Sequence, residues 1–339
     1  MTKTRSYGIV HFYDLVDIKD VSAVVEFLRA DLPACKLQAR VKVAKEGVNG
    51  WITGVLSDVE AYCAHLRIDL GTVFARTDFK ISPCSEQQLS RGVKVWESGS
   101  VCKLLDEAEA YQELSSQDRA PHLSPQEWHE RLEQGGDDLV LFDVRNFYET
   151  RIGHFDVPAA GEQGCRIPRI DPRTLSYEQV PDFLAEAENL AQFRGKTVMM
   201  YCTGGVRCER ASTLLRSTLG GDSKVFQLEG GIHRYLESYP SGGFFQGSMY
   251  VFDRRRFVRG PDLLAPEAAV AVEACTTVVG ECCIFAVVGE TMPFEEFGRV
   301  SIPGCSGSKL SVMKRSNLEE PELDKGQSPE PYQIREEQY

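Results

Sequence analysis

The stretch Cys202-Thr203-Gly204-Gly205-Val206-Arg207-Cys208 brings two thiols, two glycines and an arginine within reach of one another. The apolar run Thr197 to Tyr201 reads as a strand covered on both faces, and Glu209 to Leu219 reads as a helix, so the stretch is a strand-to-helix turn. Such turns lie at the carboxyl edge of an open α/β sheet, where ligands usually bind. Backbone N–H groups and the positive end of the following helix favour a thiolate there, and Arg207 adds charge of the right sign. Gly204 and Gly205 allow the loop to curl so that successive amides point inward, forming a nest for a thiolate, a persulfide or an oxyanion. Cys202 is therefore the expected catalytic residue, with Thr203, Gly204, Gly205, Val206 and Arg207 as its loop. Cys208 is a candidate resolving thiol for an oxidised or persulfidated Cys202, or else a packing residue of the helix.

The elements that must hold this loop form an alternating pattern. Ser124 before Pro125 is a helix start, and Trp128 and Leu132 follow four residues apart. Leu139 to Phe142 is a short buried strand, and the strand–helix alternation recurs at Lys224 to Leu228 followed by Gly231 to Tyr239. An α/β domain with a parallel central sheet is expected over 121–247. Asp143 ends one strand and can accept backbone N–H bonds, Arg145 can pair with Glu149, and Gly230-Gly231 permits a tight turn. Asp143, Arg145, Glu149 and His154 read as supports for the loop.

Residues 1–96 carry a different order. Tyr7 to Tyr13 is strand-like, and a helix capped by Asp20 runs to Leu32, stopped by Pro33. Leu37 to Ala44 and Trp51 to Val55 flank a turn at Glu46 to Gly50. Ser57 to Glu60 has capping-box spacing before another helix, and Phe74 to Ile81 supplies a fourth strand. The order βαββαβ predicts an α+β ferredoxin-like domain. Residues 97–120 read as a linker, 248–315 as a divergent C-terminal extension, and 316–339 as an acidic disordered tail with seven acidic and two basic residues.

The whole chain has 339 residues, 42% of them hydrophobic, and a formal net charge of -12, which argues against non-specific nucleic-acid binding as its sole role. No apolar run is long enough to span a bilayer, and the N-terminus lacks a signal-like apolar core, so a cytoplasmic location is expected. Eleven cysteines in so long a chain read as reduced thiols. Arg254, Arg255, Arg256 and Arg259 form the densest basic cluster, which would contact phosphates if the substrate is an RNA and is otherwise a solvated charged surface, with Arg166, Arg169 and Arg173 a looser one. Under the same condition, Tyr148 and Phe155 are candidates for stacking on an extruded base.

Asp143-Val144-Arg145, Glu149, Gly153-His154-Phe155, the Cys202 loop and Leu228-Glu229-Gly230-Gly231-Ile232 together resemble a rhodanese domain. Cysteine-dependent phosphatases share the layout, but they place five residues between cysteine and arginine, whereas only Thr203 to Val206 intervene here. The tighter ring suits a single sulfur better than a phosphoryl group. Adding Ala44 to Gly50, Arg145 to Glu149, Cys202 to Arg210 and Val251 to Arg254 makes the chain similar to the tRNA uridine hydroxylase family over roughly residues 7 to 256. That resemblance implies an acylphosphatase-like N-terminal domain before a rhodanese domain. It implies oxygen-dependent 5-hydroxylation of the wobble uridine, with tRNA as partner and molecular oxygen as co-substrate.

The loop alone supports a second reading, a sulfurtransferase that takes sulfane sulfur from a small donor onto Cys202. A third is a rhodanese-fold binding module. No flavin or nicotinamide fingerprint and no iron triad stands out, so no cofactor is identifiable. Relatives carry paired cysteines at zinc-ligand spacing near the C-terminus. Cys275, adjacent Cys282 and Cys283, and Cys305 do not reproduce it, and no structural metal is expected.

Overall fold

The computed structural model describes residues 5–104, 119–158, 167–220 and 224–264, all within the compact unit Met1–Cys282. Cys165, Arg166, the four C-terminal cysteines, the acidic tail and most of the expected linker lie outside these residues.

The N-terminal domain runs β1 (Tyr7–Asp14), α1 (Val21–Ala34), β2 (Gln38–Ala44), β3 (Gly47–Val55), α2 (Leu56–Asp69), a one-turn α3 (Gly71–Phe74), β4 (Lys80–Cys84) and β5 (Val93–Glu97). Sheet order β4-β1-β3-β2 is the ferredoxin-like arrangement, and β5 adds a parallel edge strand beside β2 that the sequence pattern does not announce. One face of this sheet packs on the helices through Val10, Phe12, Val41, Val48, Ile52, Leu28 and Leu66. Asp20 caps α1 as expected, accepting from the Ala23 amide at 2.9 Å, but Pro33 sits inside the last turn rather than just beyond the helix end.

Three expectations shift. The turn between β2 and β3 is tighter than expected, so β3 already begins at Gly47. Ser57 does not cap α2, whose N-cap is Val55 with no side-chain bond. Phe74 belongs to α3, and the fourth strand starts only at Lys80, because Phe74 and Phe79 both turn into the core beside Phe12. Nor is the start of the expected linker loose. Ser100, Val101 and Leu104 are buried, and the Asn49 amide donates to the Val101 carbonyl at 3.0 Å.

The second domain continues with β6 (His122–Leu123), α4 (Pro125–Gln134), β7 (Leu139–Asp143), α5 (Phe147–Ile152), β8 (Gly153–Phe155), β9 (Arg169–Ile170), α6 (Val180–Ala185), α7 (Ala187–Ala191), β10 (Thr197–Tyr201), α8 (Val206–Leu219), β11 (Lys224–Leu228) and α9 (Gly231–Ser238). Its sheet is parallel, in the order β6-β11-β10-β7-β9, so β10 lies at the centre with both faces covered. Ser124 and Glu127 form the capping box of α4. Beyond α9, the strands β12 (Phe245–Gly247), β13 (Met249–Tyr250) and β14 (Phe257–Val258) and the short α10 (Gly260–Leu264) follow. Met249, Val251, Val258 and Leu263 are buried in one cluster with Trp128, Phe155 and Tyr201, so residues 248–264 are packed into the core of this domain.

Candidate active site

Cys202 stands at the end of the central strand β10, and its loop ends at the first turn of α8. The backbone of that loop is fixed from the side by α9: the Ile232 and His233 amides donate to the Cys202 and Thr203 carbonyls at 3.0 and 3.1 Å. This close approach explains Gly231. Its φ is +66°, and a Cβ there would lie 2.6 Å from the Cys202 oxygen and 2.7 Å from the Thr203 oxygen. Of the two loop glycines only Gly205, at φ +104°, needs the left-handed region. Gly204 has a negative φ and open space around the position of a Cβ, so the curl rests on one glycine, not two.

The Gly205 amide donates to the Cys202 sulfur at 3.1 Å. Burial pushes the thiol up, but the Cys208 thiol donating to it, the Arg207 charge and the Cys208 and Arg207 amides outweigh that penalty. Together they bring it from its ordinary 9.0 down to about 5. Cys208 moves the opposite way, well above its ordinary value, through burial and the thiolate it serves. The pair therefore consists of one thiolate and one thiol donor near neutral pH. Both sulfurs are fully buried, so a substrate can reach Cys202 only if its surroundings open.

The supports are rearranged relative to expectation. The Glu149 carboxylate does not pair with Arg145, whose Nη1 reaches only the Glu149 backbone carbonyl, at 3.5 Å. Its Oε1 accepts from Arg207 Nη1 at 2.6 Å and from the Asn146 amide at 3.1 Å, and its Oε2 accepts from Arg207 Nη2 at 2.8 Å and from Thr203 Oγ1 at 3.1 Å. Arg145 turns the other way: its Nε and Nη2 donate to Asp143 at 2.8 and 2.6 Å, and Nη2 also bonds the Gly153 carbonyl. Asp143 accepts the Arg145 amide, shaping the turn after β7 as its position predicts. Both pairs are buried, and Arg145 and Glu149 sit four residues apart on opposite sides of the turn, which is why spacing alone misassigns them. His154 bonds the Thr150 carbonyl, outside the loop.

The N-terminal domain supplies groups that sequence reasoning missed. The Tyr13 hydroxyl donates to Glu209 Oε1 at 3.1 Å and lies 2.8 Å from where a Gly205 Cβ would be. Glu46, from the β2–β3 turn, binds Arg210 on α8 and accepts from Ser100 Oγ at 2.6 Å and the Val101 amide at 3.0 Å. Cys102, in the segment that follows, packs against the same core as Cys202. Tyr177 donates to the Arg207 carbonyl at 2.6 Å. Nothing local marks these residues, but Glu46 and Arg210 belong to two of the quoted motifs, and their order along the chain carried the signal.

The basic cluster divides. Arg255 is buried, with Nη2 on Asp253 at 2.8 Å and Nη1 on Ser82 Oγ at 2.7 Å, and His11 Nε2 approaches Asp253 from the other side at 3.1 Å. Arg255 therefore cannot meet a phosphate; it ties the two domains together. Arg254 is exposed and donates to the Leu89 carbonyl at 2.9 Å, Arg259 faces Asp262, and Arg256 is exposed at φ +69° with its side chain bonded to Tyr250. Phe155 is wholly buried among Trp128, Tyr201 and Tyr235 and is unavailable for stacking, whereas Tyr148 is half-buried against Tyr250. Arg169 is half-buried and Arg173 exposed. Among the described residues, no group of three or more His, Cys, Asp or Glu side chains could hold a metal, and no helix is long and apolar enough to cross a membrane.

Residues 7–98 match the UPF0176 acylphosphatase-like domain and residues 124–238 the rhodanese-like domain. Rhodanese-like domain-containing protein 6 of Arabidopsis thaliana is 34% identical over 265 residues, covering 74% of this chain and 43% of that protein, so this chain spans less than half of that relative. The tRNA uridine(34) hydroxylase of Corynebacterium jeikeium is 34% identical over 264 residues, covering 77% of this chain and 79% of the relative. That of Kocuria rhizophila is 35% identical over 251 residues, covering 73% and 78%. With both domains matched in order and the motifs of each meeting across the interface at the Cys202 loop, the chain belongs to the tRNA uridine(34) hydroxylase family.

Proposed function

We propose that this protein is a tRNA-modifying oxidoreductase that hydroxylates C5 of the wobble uridine, with Cys202 as the reactive group, acting in the cytoplasm. The observation that carries this reading is the Cys202 thiolate, set in a family whose curated members are named for that reaction. Inserting one atom of molecular oxygen into a C–H bond and reducing the other to water consumes two electrons and two protons, so an external reductant is an obligatory component. The chain's own contribution is to keep one sulfur ionised by the Cys208 donor and the Arg207 charge, and to hold Arg207 in place through Glu149. In the test, purified protein is incubated with undermodified tRNA, oxygen and a reductant, and 5-hydroxyuridine is measured. Product from the wild type and none from Cys202→Ser is expected; full turnover by Cys202→Ser would sink the assignment.

The same thiolate favours a second activity. Attack on the outer sulfur of thiosulfate would release sulfite and leave a Cys202 persulfide, and cyanide would then take that sulfur as thiocyanate and regenerate the thiolate. An assay with thiosulfate and cyanide, run in parallel, separates the two chemistries by product.

A further inference from the structure

The N-terminal sheet has a second face, turned away from α1 and α2, and its chemistry is unlike that of the chain as a whole. Cross-strand partners share a face, so one row reads Tyr13, Asn49, Lys42, Trp96 across β1, β3, β2 and β5, and the next reads His11, Trp51, Arg40, Lys94. Lys80 lies opposite His11 on β4. The cations Arg40, Lys42, Lys80 and Lys94 thus share a face on which no strand residue is acidic, in a chain of net charge -12. Glu97, the acid of β5, points to the other side and bonds Ser22 at the start of α1.

The two halves of this face have different fates. Tyr13, His11 and Ser82 are occupied by Glu209, Asp253 and Arg255 of the second domain. The half formed by β2 and β5 is not: Lys94 is exposed, and Arg40, Trp51 and Trp96 are half-buried. Its cations are preset. Arg40 is held by the Ala39, Gly92 and Arg91 carbonyls and by no carboxylate among the described residues, so its charge is fixed in position but not neutralised. The Lys94 ammonium sits 5.1 Å from the centre of the Trp96 ring. Lys42 continues the row toward Cys102 and the Cys202 core but is buried, and burial pushes its ammonium below the ordinary lysine range. The row ends at Tyr13, over Gly205.

An open sheet face bearing two tryptophans among cations suits a polyanion with flat bases: bases stack on the rings and phosphates meet the charges. We propose that the β2–β5 half of this face, through Arg40, Lys94 and Trp96 with Trp51 of the adjoining β3, binds the single-stranded loop of the RNA and leads the target nucleotide toward Cys202. This deepens the hydroxylase reading and rests on its RNA substrate. It also moves the principal RNA contact away from the Arg254–Arg259 segment.

The test is fluorescence anisotropy of a labelled anticodon stem-loop titrated with the full chain at several salt concentrations. Trp96→Ala is expected to bind roughly 5- to 150-fold more weakly, and Trp96→Phe, which keeps a stacking ring, to recover most of that loss. The double variant Arg40→Ala/Lys94→Ala is expected to lower the slope of log affinity against log salt by about 1.4. Unfolding midpoints taken alongside separate lost contacts from lost folding. Wild-type affinity and slope in these variants, or no salt-dependent binding by the wild type, would overturn the surface. The reaction is scored separately: Cys202→Ser should bind RNA like the wild type while making no product. A wild type that binds RNA but forms no 5-hydroxyuridine would refute the chemistry and leave the surface standing.

Discussion

Glu149 holds Arg207 with both carboxylate oxygens, at 2.6 and 2.8 Å, and both side chains are buried. The pair joins the first turn of α5 to the first turn of α8, and Thr203 Oγ1 bridges the two partners. Arg207 is thereby held close enough for its charge to act on Cys202.

Replacing Glu149 by Gln keeps the shape and removes the charge, leaving Arg207 buried without its counter-ion. Breaking a buried pair from one side costs about 3–5 kcal/mol. Urea unfolding of Glu149→Gln should show a loss of that order at an unchanged m-value. A loss below about 1 kcal/mol would mean that solvent reaches the pair.

The Cys202 thiolate sets a pH dependence. Its folded value of about 5 lies below its ordinary 9.0, so the unfolded chain binds the extra proton between those limits. The stability contributed by the thiolate is complete above the unfolded value and is lost as pH falls through about 5. Any activity that uses the thiolate should be flat from neutral pH upward and fall as pH drops through the same point. Cys208→Ala removes the thiol donor and should raise the midpoint, whereas Cys208→Ser keeps a donor and should raise it less. Ultraviolet thiolate absorbance, with Cys202→Ser as the blank, reports the midpoint directly. An ordinary thiol midpoint in the wild type would contradict the nest.

Much of this loop was legible because its causes are local. A buried apolar strand, a glycine at the turn and an arginine in the first helical turn are all written within residues 197–219. The ferredoxin-like order was legible from periodicity for the same reason. What escaped is tertiary. Glu149 could have paired with Arg145 or Arg207, and the choice is made by where β7 ends beside β10, with Asp143 opposite Tyr201. The arginines after Val251 looked like one patch because sequence gives no direction to side chains. The tight turn at Asp253 to Arg256 sends Arg255 inward and leaves its neighbours outside. Strand β5 was missed because its five residues border a loop and gain their stability from β2.

The two glycines near Cys202 that differ in their surroundings provide a paired test. Gly231→Ala puts a Cβ against the Cys202 and Thr203 carbonyls at a positive φ, so α9 must retreat and its two amide bonds to the loop weaken. Gly204→Ala meets nothing within 4 Å. The first variant should lose about 1–3 kcal/mol and shift the thiolate midpoint, and the second should change stability by about 0.5 kcal/mol or less. Equal effects would contradict the loop's seating on α9.

The interface between the domains should be acid-sensitive through its histidines rather than its carboxylates. His233 is buried and His11 half-buried, with ring centroids 6.4 Å apart, and loss of solvent lowers both, His233 to about 4, despite Asp253 beside the first and Glu237 beside the second. Arg255 and Lys80 face the same pocket and add to the cost of charging His11. A histidine held neutral in the fold binds its proton more readily when unfolded. Stability should therefore be full above the ordinary histidine value of 6.5 and drain as pH falls from there toward about 4. Asp253 adds little within this window: burial is outweighed by Arg255 and His11, which hold its carboxyl far below the usual range, so it stays ionised in the fold throughout and its own loss of stability comes with stronger acid. Unfolding free energies measured across the window should fall with acid in the wild type and fall less steeply in His11→Gln and His233→Gln. If both variants keep the wild-type slope, the acid sensitivity arises elsewhere in the fold.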